Sequence, residues 1–136
     1  MKYLVLAAQD LRAASFAIFA DDILLAKKDV CVWPEEYLAI INELLQYAKL
    51  TLHDIEAVAV VTGPGSFTAS RLTVTLANTL GLANHWPIYA LSNEARSAIE
   101  EWWPKFLADP EAYRVKEAMP TYDRPPHITQ PKIKLD

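Results

Sequence analysis

The stretch from Ala57 to Ala83 constrains the fold more than any other part of this 136-residue chain. Ala57 to Val61 is an unbroken run of small and β-branched residues, which reads as a strand buried on both faces. It stops at Thr62, Gly63, Pro64, Gly65 and Ser66, a cluster of backbone breakers. Phe67 to Ala83 then reads as a helix whose one charge is Arg71. A surface helix needs a single apolar stripe, and this one carries two. Ala69, Thr73, Ala77 and Gly81 recur at four-residue spacing, with Leu72, Leu76, Leu80 and Ala83 beside them. Such a helix is expected to be covered on two sides, by its own sheet and by either a second helix or a partner protein.

The flanking elements make the chain mixed α/β. Apolar runs at Lys2 to Ala8, Ala14 to Phe19 and Ile23 to Val30 predict three short strands in an antiparallel meander. Trp33 and Pro34 break it, and Glu35 to Leu50 predicts a helix with two acids at its positive end. Pro87 to Leu91 predicts a further strand, and Asn93 to about Leu107 a last helix capped by Asn93 or Ser92. The order βββαβαβα, with the late strands parallel, suits an α/β lobe over residues 1–109. Five of the nine prolines fall in residues 110–136, which read as a Pro-rich extended tail anchored by Tyr122. The tail carries five cations against four acids, a net +1 on a body of −5.

Hydrophobic residues make up 52% of the chain and charged residues 22%, which excludes wholesale disorder. With 13 Lys and Arg against 17 Asp and Glu there is no basic field to hold nucleic acid, so tRNA or any other RNA is expected only through a partner or a small patch. A lone Cys31 forbids an internal disulfide and points to a reducing cytoplasm. The uncharged run after Arg71 is studded with Thr, Asn, Gly and Pro and does not read as a membrane span.

Two candidate sites emerge. In the turn, Gly63, Gly65, Ser66 and Thr68 are placed to offer free amides to an anion or a nucleotide phosphate at a helix start. The same residues are equally what a tight strand-to-helix turn capped by Ser66 requires, and no Walker-type lysine follows. On the helices, Tyr37, Ile40, Ile41, Leu44 and Tyr47 of the first, with Phe67, Ala69, Ser70, Arg71, Thr73, Val74, Ala77 and Gly81 of the second, form the expected partner interface. Tyr37, Leu38, Ile41, Leu44, Leu45 and Ala48 are expected inward, with Ile40 and Tyr47 widening the apolar sector. Catalytic and metal candidates are wanting: His53, His85 and His127 are scattered, and Asp21 with Asp22, Glu35 with Glu36, and Glu100 with Glu101 are adjacent pairs whose side chains diverge.

The strand order and the string from Val60 to Arg71, VVTGPGSFTASR, resemble the amino-terminal lobe of the bacterial TsaB (YeaZ) family. Gly63, Pro64, Gly65, Ser66, Phe67, Thr68 and Arg71 match that family's motif, and Ala69 replaces a glycine. The connection through Leu50, Thr51, Leu52, Asp54 and Ile55 and the later Pro87, Ile88, Leu91 and Ser92 are also similar, as is a closing Tyr122, Arg124, Pro125 and Pro126. The resemblance implies an actin-like, ribonuclease H-like lobe. It implies a cytoplasmic, non-catalytic dimerisation subunit in tRNA N6-threonylcarbamoyladenosine synthesis, with no cofactor of its own. The partner it implies is a TsaD-like transferase, with a TsaE-like ATPase as a further one; a self-associating homodimer built on the same helices is the alternative. The chain departs from the family at Ala8, where an acid is expected in the first phosphate turn. It departs again at Ala108 to Ala118, where a second lobe is expected.

Overall fold

In the computed structural model, residues 1–10 and 13–121 are described, with the side chain of Phe67 excepted. Leu11, Arg12 and everything from Tyr122 on, including the expected tail anchor, His127 and the closing motif, lie outside the described residues.

One sheet organises the molecule, in strand order β3-β2-β1-β4-β5-β6. The strands are β1 (Lys2–Asp10), β2 (Ala13–Ala20), β3 (Ile23–Val30), β4 (Ala57–Gly63), β5 (Ile88–Ser92) and β6 (Arg114–Val115). The first three form the antiparallel meander; β4 runs parallel to β1 and β5 parallel to β4. Every residue of β4 is buried, as its unbroken apolar run requires of a strand with helices on both faces. Pairing of Tyr3 with Ala57 through to Ala7 with Val61 sets the register. It puts Leu4, Leu6, Val58 and Val60 on one face and Tyr3, Val5, Ala57 and Ala59 on the other.

The helices are α1 (Tyr37–Tyr47), α2 (Phe67–Asn84) and α3 (Ile99–Ala108). The first is shorter than the sequence suggests at both ends. Pro34–Glu36 forms a tighter 3₁₀ turn, with the Glu36 carboxylate accepting the Trp33 N–H. Lys49 then turns left-handed at φ 59°, and the Leu50 N–H returns to the Leu45 carbonyl, which ends the helix without a glycine. In α2 the Ser66 hydroxyl accepts the Ala69 N–H at 3.3 Å, the cap expected of it. The last helix starts at Ile99, not Asn93. The Asn93 amide instead closes its own loop, accepting from the Ser97 N–H at 3.1 Å and donating to the Ser97 carbonyl at 2.9 Å. Both α1 and α2 pack on one face of the sheet, and α3 covers the other.

The described part of the Pro-rich region is not loose. Pro110–Tyr113 is a 3₁₀ turn and β6 pairs antiparallel with β5. Ala118 is buried in the core beneath α2, and the Thr121 N–H donates to the Thr62 carbonyl at 2.8 Å.

Candidate partner-docking face and glycine-rich turn

The turn after β4 is gripped from two sides by the chain itself. Where β1 bulges between Ala7 and Asp10, Gln9 turns inward and is nearly buried. Its side-chain amide donates to the carbonyls of Pro64 and Asn93, each at 2.7 Å, and its main-chain carbonyl accepts the Ser66 N–H at 2.5 Å. A Cβ on Gly65 would overlap that carbonyl, and a Cβ on Gly63, at φ 136°, would overlap the carbonyl of Thr121. Both glycines are therefore required by close backbone approach. An anion cradle needs free N–H groups facing an open site. Here the Ser66 amide is spent on Gln9, an oxygen acceptor lies where the anion would sit, and the Ser66 hydroxyl caps α2. Of the four expected anion residues, only Thr68 is exposed. The structural alternative accounts for the turn.

The helical face also differs from its expected outline. Ala69, Ser70, Thr73 and Ala77 have no exposed surface, Val74 and Gly81 are buried, and of these Ala69, Val74 and Ala77 belong to the core cluster between helix and sheet while Gly81 lies against Ile88. The reason is steric. Small side chains let α2 sit close over β4 and β1, and a Cβ on Gly81 would come within 2.6 Å of Ile88. The Thr73 hydroxyl is satisfied by the Ala69 carbonyl at 3.0 Å, while the Ser70 hydroxyl is buried with no partner among the described residues. On α1, Tyr37, Ile40, Ile41 and Leu44 are buried as well, and burial pushes the Tyr37 hydroxyl pKa up. A charge at Thr73 or Ala77 therefore acts on the fold before it reaches any partner.

What these helices leave outside is the neighbouring stripe. Leu72 is 43% exposed, Leu82 80%, Leu38 60% and Tyr47 78%; Thr68, Arg71, Thr75 and Thr79 are also exposed. Between α1 and α2 runs an open groove of about 430 Å³, lined chiefly by Leu38, Ile41, Leu45, Leu50, Leu52 and Leu80. The sequence reading placed Leu38 inward and Ile40 at the margin. The structure reverses the two, because the sheet lies toward the Tyr37, Ile40 and Ile41 side and Leu38 falls on the rim beside exposed Asn42.

Elsewhere the polar groups are dispersed. No cluster of three or more His, Cys, Asp or Glu side chains that could hold a metal occurs among the described residues. Cys31 is exposed, and His53 and His85 are exposed far apart in the sequence. A cleft of about 380 Å³ opens at the ends of β1 and β2, lined by Gln9, Asp10, Ser15, Asp29, Asn93 and Arg96 among others. Arg96 pairs there with Asp10 at 3.3 Å. Ala8, where the family resemblance calls for an acid, is fully buried in the core. Among the described residues no helix is long and apolar enough to cross a membrane.

A single mixed sheet whose meander feeds parallel strands, with helices on both faces, defines one lobe of the actin-like, ribonuclease H-like class. A family model described as TsaD, tRNA N6-adenosine threonylcarbamoyltransferase, matches residues 34–101, half of the chain. The chain belongs to that family, and its relatives include proteins named TsaB and YeaZ. It is 37% identical over 65 residues to the tRNA threonylcarbamoyladenosine biosynthesis protein TsaB of Buchnera aphidicola, covering 48% of this chain and 31% of that one. It is 33% identical over 75 residues to the tRNA N6-adenosine threonylcarbamoyltransferase of Tropheryma whipplei, covering 54% and 19%. Among solved structures, YeaZ from Pseudomonas aeruginosa superposes with a TM-score of 0.65 at 24% identity, over 76% of this chain and 49% of that one. An uncharacterized protein with similarity to peptidase YEAZ from Pseudomonas aeruginosa gives 0.62 at 25%, over 68% and 43%. The matches thus span less than half the length of each of these relatives.

Proposed function

We propose that this chain is a non-catalytic docking subunit in cytoplasmic tRNA threonylcarbamoyladenosine biosynthesis, pairing its α1–α2 face with a TsaD-like transferase. One observation carries the reading: large apolar side chains stand exposed on the outer side of these helices, whose only charged residues are Glu43 and Arg71. Leu38, Leu72 and Leu82 stand exposed, Leu38 on the rim of the leucine-rich groove. Covering each such side chain contributes roughly 1.5–3 kcal/mol, so a few of them supply an interface core. The match to a family model described as a tRNA N6-adenosine threonylcarbamoyltransferase, beside relatives named TsaB, supports a partner of that kind. The non-catalytic role is supported by Ala8 in place of an acid and by the turn, which Gln9 fills. With a formal charge of −4 the chain approaches tRNA through its partner. A TsaE-like ATPase would join that assembly as a further component, and a homodimer would use the same face.

The test is co-expression with the TsaD-like protein of the same genome, followed by light scattering and a tRNA modification assay. A mixed complex should form with the wild-type chain and fail with a Leu38→Glu, Leu72→Glu double variant that keeps the wild-type thermal transition. Modification should fall with it. If complex mass and tRNA modification are the same for both chains, the docking face lies elsewhere and the reading is wrong.

A further inference from the structure

Residues 116–121 cross the molecule as a strap with three fixed points. It leaves β6, where Tyr89 pairs with Arg114 and Ile88 with Val115 on the outer side of β5. At Ala118 it meets Asn78 of α2, whose side-chain amide makes both bonds of a backbone pair. Nδ2 donates to the Ala118 carbonyl at 3.0 Å, and the Ala118 N–H donates to Oδ1 at 2.8 Å. At Thr121 it reaches the end of β4. There the Thr121 N–H donates to the Thr62 carbonyl, the two threonine hydroxyls lie 3.2 Å apart, and the Thr121 carbonyl rests on the face of Gly63 where a Cβ would be. The strap therefore ties α2 in two places: directly through Asn78, and at its amino-terminal end through the Thr62 to Ser66 turn that leads into it.

The strap is also weakly rooted. Of its side chains only Ala118 is buried, while Lys116, Glu117, Met119 and Thr121 are exposed, Met119 by 69%. Segments held by a few hydrogen bonds and little apolar burial open locally well below the cost of global unfolding. Meanwhile the Thr62 hydroxyl keeps a second partner, the Leu91 carbonyl at 3.1 Å, so that when the strap leaves only the Thr62 carbonyl is given up to water.

We infer that residues 116–121 are a releasable brace: docked, they hold α2 in register on the sheet and its outer stripe in docking geometry; released, they loosen the first turn of α2 and weaken partner binding. The part about binding rests on the docking function proposed above; the part about α2 does not. Asn78 faces the strap and does not line the α1–α2 groove, so removing it leaves Leu38 and the groove residues in place.

Amide hydrogen exchange on the full chain tests the brace, comparing wild type with Asn78→Leu and Asn78→Asp. In Asn78→Leu, exchange at Ala118 and Thr121 should rise about tenfold or more with the loss of two hydrogen bonds. Ala69 and Ser70 in the first turn of α2 should follow, while β1 and β4 keep wild-type protection. Asn78→Asp, which keeps the acceptor for the Ala118 N–H and loses the donor, should lie between. Affinity for the TsaD-like partner should fall in the same order. Unchanged exchange at Thr121 would show that the strap does not move as a unit, and unchanged exchange at Ala69 and Ser70 that it does not brace α2. Either result overturns the inference. If the strap loosens and α2 follows while wild type and variants bind the partner equally, the control of binding is overturned. If wild type binds no such partner, the docking function fails, and the brace is decided by the exchange pattern alone.

Discussion

The two faces of the sheet are covered by different means. Beneath α3 the contact is aromatic. The Trp103 ring stacks on Phe19 at 4.4 Å and meets Tyr3 edge-on at 5.1 Å; Phe106 meets Tyr89 edge-on at 5.3 Å. The Trp103 indole N–H also donates to the Asp21 carbonyl at 2.8 Å. A ten-residue helix thereby seals its side of the sheet, because each ring buries a large area at low entropic cost. Its exposed residues include Glu100, Glu101 and Lys105, which suit water. Beneath α2 the contact is small, so that helix sits close; beneath α1 a single ring pair, Phe16 and Tyr37 edge-on at 5.1 Å, joins aliphatic side chains, and the outer sides of both helices carry leucines and threonines with Glu43 and Arg71. One face is finished within the chain. The other is closed inside and carries exposed leucines outside, on the side proposed for docking.

The sharpest break in this comparison is Trp103→Ala on the finished face. It should cost about 3–5 kcal/mol in chemical denaturation, since it removes the ring that four neighbours pack against. Next comes the inner stripe of α2: Ala77→Arg should destabilise by about 3 kcal/mol or more, because the site has no exposed surface. Gly65→Ala should cost roughly 1–3 kcal/mol, as its methyl would displace the Gln9 carbonyl. By contrast Leu72→Glu, a few residues away on the outer stripe, should stay within about 0.5 kcal/mol of wild type while weakening partner binding. A Leu72→Glu variant as unstable as Ala77→Arg would erase the distinction between the two sides of α2.

The smallest effect concerns pH and the link between β3 and α3. The bond from Lys27 lowers the Glu100 carboxyl pKa from its ordinary 4.5, with a contribution from its own backbone N–H. Burial works against the Lys27 charge, but the hydrogen bond to Glu100 and the charge of Asp29 outweigh it and raise the Lys27 pKa above 10.5. A depressed acid stabilises the fold above its unfolded pKa and loses that contribution as pH falls through the folded value. A raised lysine contributes below its unfolded pKa and loses that contribution as pH rises through the folded one. Stability should therefore decline slightly below pH 4.5 and above pH 10.5 through this pair. Urea midpoints across pH for Glu100→Gln should show a flatter acid limb than wild type. An identical acid limb would remove this pair from the account, and the effect stays small because Glu100 is half exposed.

Much of this molecule was legible in its residue pattern. The unbroken run Ala57 to Val61 could only be a central strand, and the breakers at Gly63 to Ser66 only a sharp turn. Those inferences hold because periodicity and backbone chemistry are local. Which stripe of α2 faced the sheet was not local. Both stripes are apolar, and the choice fell to the closest backbone approach, where Gly81 meets Ile88 and only small residues fit. The same holds for Gly65, which the sequence left open between an anion and a tight turn. Gln9, fifty-six positions earlier, requires a glycine there by placing a carbonyl against the turn. The strap was hidden most completely, since Asn78 and Ala118 carry no pattern and meet only because β6 joins the far edge of the sheet. Sequence determined which segments had to be buried; tertiary packing decided which of two equally apolar surfaces remained outside, because that depends on the distance between backbones and not on the character of side chains.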